Sequence, residues 1–357
     1  MRLLLGVTLV LAALASAAGR ASPAFLRAWL IAWLLWLGVA LGAFSFLCVS
    51  HLVRGRWGAV VGPLLVAATR TIPLLALMFL PIALGLDHLY PWTDSAWLMA
   101  GPLRAAKAAY LDAPFFVARA VVILVAWSVL ALRLAGARRR APGLAAFALV
   151  VYFLTVTIAA VDWVLSLDPD MSTSAFGLAV ATGDAVAGWS AVVIAVALVQ
   201  GRGAHAPLIP RERVQELGTL LFVALMLWGY IAFTQFLLVW GADLPREVQW
   251  YVQRIHGDWG VVAWALVGLH FAVPFVALLM RPIKRVAARL AVVAALLLLM
   301  HAVELVWLIV PSFPGSLGWL DVAAPIGLGA WWVLAMARLL AGSDALVVVP
   351  AEDIDHV

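Results

Sequence analysis

The sequence predicts an all-α, polytopic integral-membrane protein with about ten transmembrane helices, and three observations carry that prediction. First, 66% of its 357 residues are hydrophobic and only 11% are charged, against roughly 45–50% and 25% in ordinary soluble domains. Second, apolar stretches recur along the chain, each long enough to cross a bilayer as a helix, and short links rich in Arg, Pro and Gly separate them. Third, runs this long and this uniformly apolar lack the alternation of barrel strands. A backbone in hydrocarbon must satisfy its own hydrogen bonds, which leaves helices.

Taken in order, the first stretch covers about 3–19. Met1-Arg2, the apolar run Leu3 to Leu14 and Ala15-Ser16-Ala17 also fit a secretory signal with an A-x-A cleavage site; a retained helix is the favoured reading. The second, 24–53, carries Gly38 and Gly42, a small-xxx-small face suited to close helix packing. It also holds the lone Cys48, which can form no internal disulfide and reads as a small buried apolar side chain. The third, 59–86, contains Pro73 and Pro81, which should kink it and free backbone carbonyls. The fourth, 112–134, carries Arg119, and the fifth, 143–166, carries Asp162. Asp184 lies in the sixth, 174–200; the seventh is 214–241; His270 lies in the eighth, 257–281. His301 and Glu304 lie in the ninth, 284–310, and the tenth is 318–341. The tail from Glu352 to His356 reads as a short solvated end.

The net charge of +5 does not indicate a nucleic-acid partner, because the cations recur in alternate links rather than in one patch. One set of links holds Arg54, Arg56, Arg133, Arg138, Arg139, Arg140, Arg202, Arg211, Arg213, Arg281, Lys284, Arg285 and Arg289. The other holds Arg20, Arg27, Arg104, Lys107, Arg246 and Arg254. The bias puts the first set, and both chain ends, in the cytoplasm. Trp57, Trp92, Trp97, Trp240, Trp250 and Trp319 fall near span ends and are expected in the aromatic belts. The outer links at about 87–111 and 242–256 are long enough to dock a partner.

A short internal repeat suggests how the spans are grouped. Ala160-Val161-Asp162-Trp163-Val164, with Pro169 seven residues after the acid, parallels Ala302-Val303-Glu304-Leu305-Val306, with Pro311 seven after the acid. The expected organisation is an N-terminal helix in 1–23, a four-helix bundle in 24–173, a second in 174–313, and a last helix with its tail in 314–357.

An ionisable side chain in a bilayer costs a few kcal/mol even on mild insertion scales, so each needs a partner or a wet cavity. By helix rise, Asp162 lies roughly 8 Å below the outer surface and Arg119 at a matching depth. The two can pair, either as a salt bridge fixing register or as a carboxylate tuned by the arginine. His301 and Glu304, three apart, share a helix face, and Asp184 reaches a similar level. His270, Arg70 and His51 are expected nearer the cytoplasm. Together these groups form a candidate ladder for protons. Asp162, Asp184, His301 and Glu304 are the proton-transfer candidates, Arg119 and Arg70 their charge partners, and His270 and His51 secondary candidates. The same chemistry suits a quinol pocket, where a carboxylate or histidine must accept the hydroxyl proton.

Two metal readings are weaker. His270 and His301 as axial ligands of a b-type haem are separated in expected depth, and the H-x-x-E of His301 and Glu304 reverses the order of a di-metal half-site and lacks its partner. There is no P-loop, dinucleotide-binding glycine fingerprint, zinc-protease motif or CxxCH haem attachment.

A family resemblance adds to this. Trp36-Leu-Gly-Val-Ala-Leu-Gly-Ala, Thr71-Ile-Pro-Leu-Leu-Ala-Leu-Met-Phe-Leu-Pro-Ile and Leu89-Tyr-Pro-Trp92 come first. Tyr110-Leu-Asp-Ala-Pro-Phe-Phe116, Asp162-Trp163 with Ser166-Leu167 and Pro169, and His270-Phe-Ala-Val-Pro-Phe275 follow in order. From about residue 24 to 313 the chain resembles the second large membrane subunit, the F subunit, of bacterial alternative complex III, a relative of polysulfide-reductase-type membrane subunits. The resemblance implies an inner-membrane subunit of a quinol:cytochrome c or other electron-acceptor oxidoreductase, with no haem or cluster of its own. It implies as partners a periplasmic multihaem cytochrome c, an iron–sulfur protein, a sister membrane subunit, small membrane subunits, the quinone pool and a terminal oxidase. Family members are described as quinone-binding, while electron entry is assigned to the sister subunit, leaving proton transfer or scaffolding to this one. Asp170-Met171 stands where the family has an aromatic-rich stretch, which weakens any quinone or proton role for that outer loop. A secondary transporter and a purely structural anchor are the alternatives.

Overall fold

The computed structural model describes residues 2–53, 55–99, 102–137, 139–200 and 209–341. Arg54, Arg138 and Arg202 of the charge count, and the tail from Glu352 to His356, lie outside the described residues. The protein is an all-α, multi-pass membrane protein: it has ten helices long and apolar enough to cross a bilayer, and no strand occurs among the described residues. In chain order the spans are Arg2–Arg20, Pro23–Leu52, Trp57–Leu84, Ala113–Ala135, Pro142–Leu167, Phe176–Gln200, Arg211–Ala242, Gly257–Leu279, Ala287–Ser312 and Leu320–Ala341. They are called spans one to ten below.

Span two is the axis of the molecule. It packs against spans six, ten, three and five, and more lightly against nine and one. That enclosure explains why its sequence is apolar on every face rather than striped. Span six is its counterpart, packed against spans two, nine, seven and five. Span five thus touches spans two and six, and span nine touches the same two. Gly42 and Gly188 make the central contact possible. A Cβ at Gly188 would lie 2.5 Å from the Ala43 nitrogen, and one at Gly42 would overlap the Asp184 carbonyl.

Span three is broken twice. Its helical pieces are Trp57–Thr69, Ile72–Leu77 and Leu80–Leu84, with the breaks just before Pro73 and Pro81. A proline supplies no N–H to the preceding turn, and the chain tightens there to i,i+3 bonds such as Met78 N–H to the Leu75 carbonyl. Span two adds donors from outside at the second break: the Trp33 indole donates to the Leu75 carbonyl at 2.8 Å and the Trp29 indole to the Met78 carbonyl at 3.1 Å. Trp29→Phe keeps an aromatic ring, though a smaller one, and removes that donor from a buried carbonyl. Its expected cost is about 1–3 kcal/mol, read as a lowered thermal unfolding midpoint in detergent; an unchanged midpoint would show that the carbonyl finds another partner.

Span ten follows span nine in sequence but docks far back along the chain, against spans two and three. Arg27 of span two meets Asp321 of span ten through Nε at 3.1 Å and Nη2 at 2.5 Å, both side chains buried. The Trp36 indole donates to the Pro325 carbonyl at 2.8 Å and stacks on Trp332, while the Trp332 indole donates to the Thr71 hydroxyl at 2.9 Å. Arg27 therefore belongs to a buried pair rather than to a solvated link.

The tryptophans expected in the belts divide. Trp240 and Trp319 are exposed, but Trp57, Trp92 and Trp250 are buried inside the protein, and Trp97 lies beneath the Arg104 guanidinium at 4.0 Å. Sequence position near a span end does not distinguish a lipid-facing indole from one enclosed by a link. The link after span three covers Trp92, whose N–H donates to the Ser166 hydroxyl.

Candidate functional site

Spans five, six, seven, eight and nine converge on one largely buried polar array. Asp184 lies eight residues inside Phe176, and Glu304 eight before Ser312; each is roughly 12 Å along its helix from the arginine-poor end. The three-residue spacing on span nine brings His301 Nδ1 within 3.1 Å of Glu304 Oε2, and the other face of the same imidazole, Nε2, lies 3.9 Å from Asp184 Oδ1. From span seven, Trp228 donates its indole N–H to Glu304 Oε1 at 3.1 Å. From span five, the Tyr152 hydroxyl donates to Asp184 Oδ2 at 3.5 Å. Small residues make room: a Cβ at Gly38 would overlap the Asp184 carboxylate, and one at Gly183 would come within 3.1 Å of His301 Cε1.

His270, a secondary candidate expected nearer the cytoplasm, completes the array. Its Nδ1 lies 3.8 Å from Glu304 Oε2, its ring stacks 4.0 Å from the Trp228 indole, and it is fully buried. The reason is local. Leu266–Ala272 forms a π-turn ahead of Pro274, in which Val273 N–H bonds back five residues to the Gly268 carbonyl. The extra residue in the turn shifts the helix face beyond it by about 100° relative to a regular helix. Both His270 nitrogens and His301 Nε2 lack hydrogen-bond partners. Buried polar atoms of this kind normally require a partner, water included.

Asp162 forms a separate site. Arg119 grips it bidentately, Nε to Oδ2 at 2.8 Å and Nη2 to Oδ1 at 3.0 Å, as the matched depths predict. The same guanidinium donates to the Tyr110 carbonyl and lies over the Tyr110 and Phe115 rings at 3.9 and 4.3 Å.

Arg70 and His51 do not join either site, so the expected cytoplasmic half of the ladder is not assembled from them. Arg70 donates to the Ala135 carbonyl at 3.2 Å and so caps the C-terminal end of span four. His51 Nδ1 accepts the Ala141 N–H at 3.1 Å at the start of span five, and its carbonyl accepts from Arg140. Each is accounted for by a helix end, where unsatisfied backbone groups and the helix dipole favour such partners. The array draws its side chains from spans five, six, seven, eight and nine.

Sequence reasoning missed Tyr152 and Trp228, which look like any other aromatic in an apolar run. It also missed the buried Arg254, counted as a link cation. The Arg254 guanidinium donates to the Trp250 and Leu308 carbonyls and the Ser312 hydroxyl at 2.8–3.0 Å, over the Trp250 ring at 3.8 Å. Burial pulls its pKa down to about 10, opposed by Asp168 and Tyr251. Its partners sit at the end of span nine, so it anchors the helix that carries Glu304.

No group of three or more metal-ligand side chains able to hold an ion occurs among the described residues. The separation of the His270 and His301 ring centroids is 6.4 Å, and the Glu304 carboxylate lies against both imidazoles. Compared with known proteins, the chain matches no protein-family model and no curated sequence.

Proposed function

We propose that this chain is a proton-handling membrane subunit of a quinol-oxidising respiratory complex of the alternative complex III type. The observation that carries the reading is the array itself: Asp184, His270 and His301, all buried, and the partly buried Glu304, within hydrogen-bonding or near-contact distance of one another among packed spans. Groups this close share protons as a unit rather than titrating singly, and intramembrane ionisable clusters mark proton routes by default. Oxidation of a quinol to the quinone releases two protons with its two electrons. In this reading the electrons pass to the haem and iron–sulfur partners docked at the arginine-poor links. Asp184, His301, Glu304 and His270 accept and pass protons; Tyr152 and Trp228 hold the carboxylates in place. Asp162 with Arg119 is assigned to register instead. The arginine-rich links and both chain ends lie in the cytoplasm in this arrangement.

The test is turnover and proton release by the native complex carrying Glu304→Gln or Asp184→Asn. Each is expected to lower the rate about 100-fold, the scale of a lost general acid–base group, with all partners still co-purifying. Wild-type turnover and proton yield in both variants would exclude the array from proton transfer. Two bundles joined at a mid-depth charged site are also the architecture of carriers. Transport by the isolated chain in liposomes would favour that second reading.

A further inference from the structure

At the arginine-poor end of span five a cleft of about 320 Å³ opens between that helix, the segment Pro102–Lys107 and the link before span six. Its size is at the lower end of ligand pockets. Leu111, Val161, Leu165 and Met171 give it an apolar wall, and Lys107 and Ser172 stand at its rim. The charges there are unequal. Arg104 is matched by Asp170 in a two-point contact, Nε at 3.2 Å and Nη2 at 2.7 Å, which holds the Asp170 carboxyl below the usual range. Lys107 has no such match: its ammonium donates to the Pro169 carbonyl at 2.5 Å and the Ser172 hydroxyl at 3.0 Å, and no carboxylate among the described residues lies within ion-pair distance of it. Asp170, Glu247 and Asp168 act on it only at longer range, and burial pulls its pKa below the ordinary lysine value. An ammonium has three donors. Two are spent on neutral acceptors, and the third is left in a half-buried position beside an apolar cleft.

The cleft is also graded. Val161 and Leu165 lie within span five, inside Leu167 where the span ends, whereas Lys107 and Ser172 lie in links beyond the hydrocarbon. We propose that this cleft binds an anionic phospholipid of the adjacent leaflet, with the phosphate on Lys107 and Ser172 and the first carbons of an acyl chain along Val161, Leu165 and Met171. The apolar wall alone suits any acyl chain, and the uncompensated ammonium favours a phosphate that no cation in its own headgroup balances. The inference rests on the membrane architecture and not on the proton-handling reading, so either can fail alone.

Native mass spectrometry of the detergent-purified full chain, titrated with phosphatidylglycerol, phosphatidylcholine or inorganic phosphate, tests it. One phosphatidylglycerol is expected to bind more tightly than phosphatidylcholine. Lys107→Gln should weaken it about tenfold or more, the scale of one charge-assisted hydrogen bond, Lys107→Arg should retain it, and Leu165→Trp, which fills the apolar wall, should reduce it. Equal binding of the two lipids, or unchanged binding by Lys107→Gln, overturns the proposal. Binding of inorganic phosphate as tight as that of phosphatidylglycerol would show an anion site without a lipid and overturns it as well.

Discussion

A Gly42→Leu variant is expected not to assemble. Spans two and six meet backbone to backbone, and at this position a side chain would overlap the Asp184 carbonyl and press within 3.1 Å of the Gly188 Cα. Overpacking against mobile side chains costs about 1–3 kcal/mol, but here the obstacle is the main chain of the neighbouring helix, which cannot move without separating spans two and six. Close approach of small residues is a main source of helix association in lipid, where no hydrophobic drive brings helices together. The expected result is loss of the monodisperse peak on size exclusion. Gly62→Ala, where a Cβ meets nothing within 4 Å, should behave as wild type. If Gly42→Leu elutes and melts like the unaltered protein, the central contact is misplaced, and with it the position of Asp184.

The second large effect concerns Asp162. Its side chain is wholly enclosed, and Arg119 provides both of its charge-assisted hydrogen bonds. Arg119→Met leaves a buried carboxylate with no counter-charge, for which about 3–5 kcal/mol of lost stability is expected. Combining it with Asp162→Leu should return most of that loss, because replacing both partners of a buried pair by apolar groups is often neutral or better. Thermal unfolding of the two single variants and the double variant measures this directly. Additive losses in the double variant would mean that Asp162 has another partner. Turnover of the double variant separates register from chemistry: if Asp162 fixes register only, a folded double variant keeps its rate, whereas Glu304→Gln does not.

Much of this was legible from composition. The ten spans follow from the length and apolarity of the runs, because the bilayer sets the length and forces the backbone to bond internally. The breaks in span three follow from Pro73 and Pro81, and the pairing of Asp162 with Arg119 follows from matched depth on antiparallel neighbours. The grouping of His301 with Glu304 needed only helical spacing. His270 was legible only as a secondary candidate, since which face of span eight meets span nine is set by packing and by the π-turn of Leu266–Ala272. Arg70 and His51 were misread because a charge in or near a span looks the same in sequence whether it faces a carboxylate or a helix end.

The sequence by itself determined that the chain lives in lipid, how many times it crosses, and which few side chains would be costly there. These follow from transfer free energies, which depend on residue type and local order. Only the tertiary structure decided that Asp184, His301, Glu304 and His270 form one array, that span ten closes against span two through Arg27 and Asp321, and that Lys107 is left unmatched beside a cleft. Those outcomes depend on helix rotation and on contacts between residues far apart in the chain. A one-residue change of helical phase moves a side chain to another face while leaving the pattern of apolarity almost unchanged.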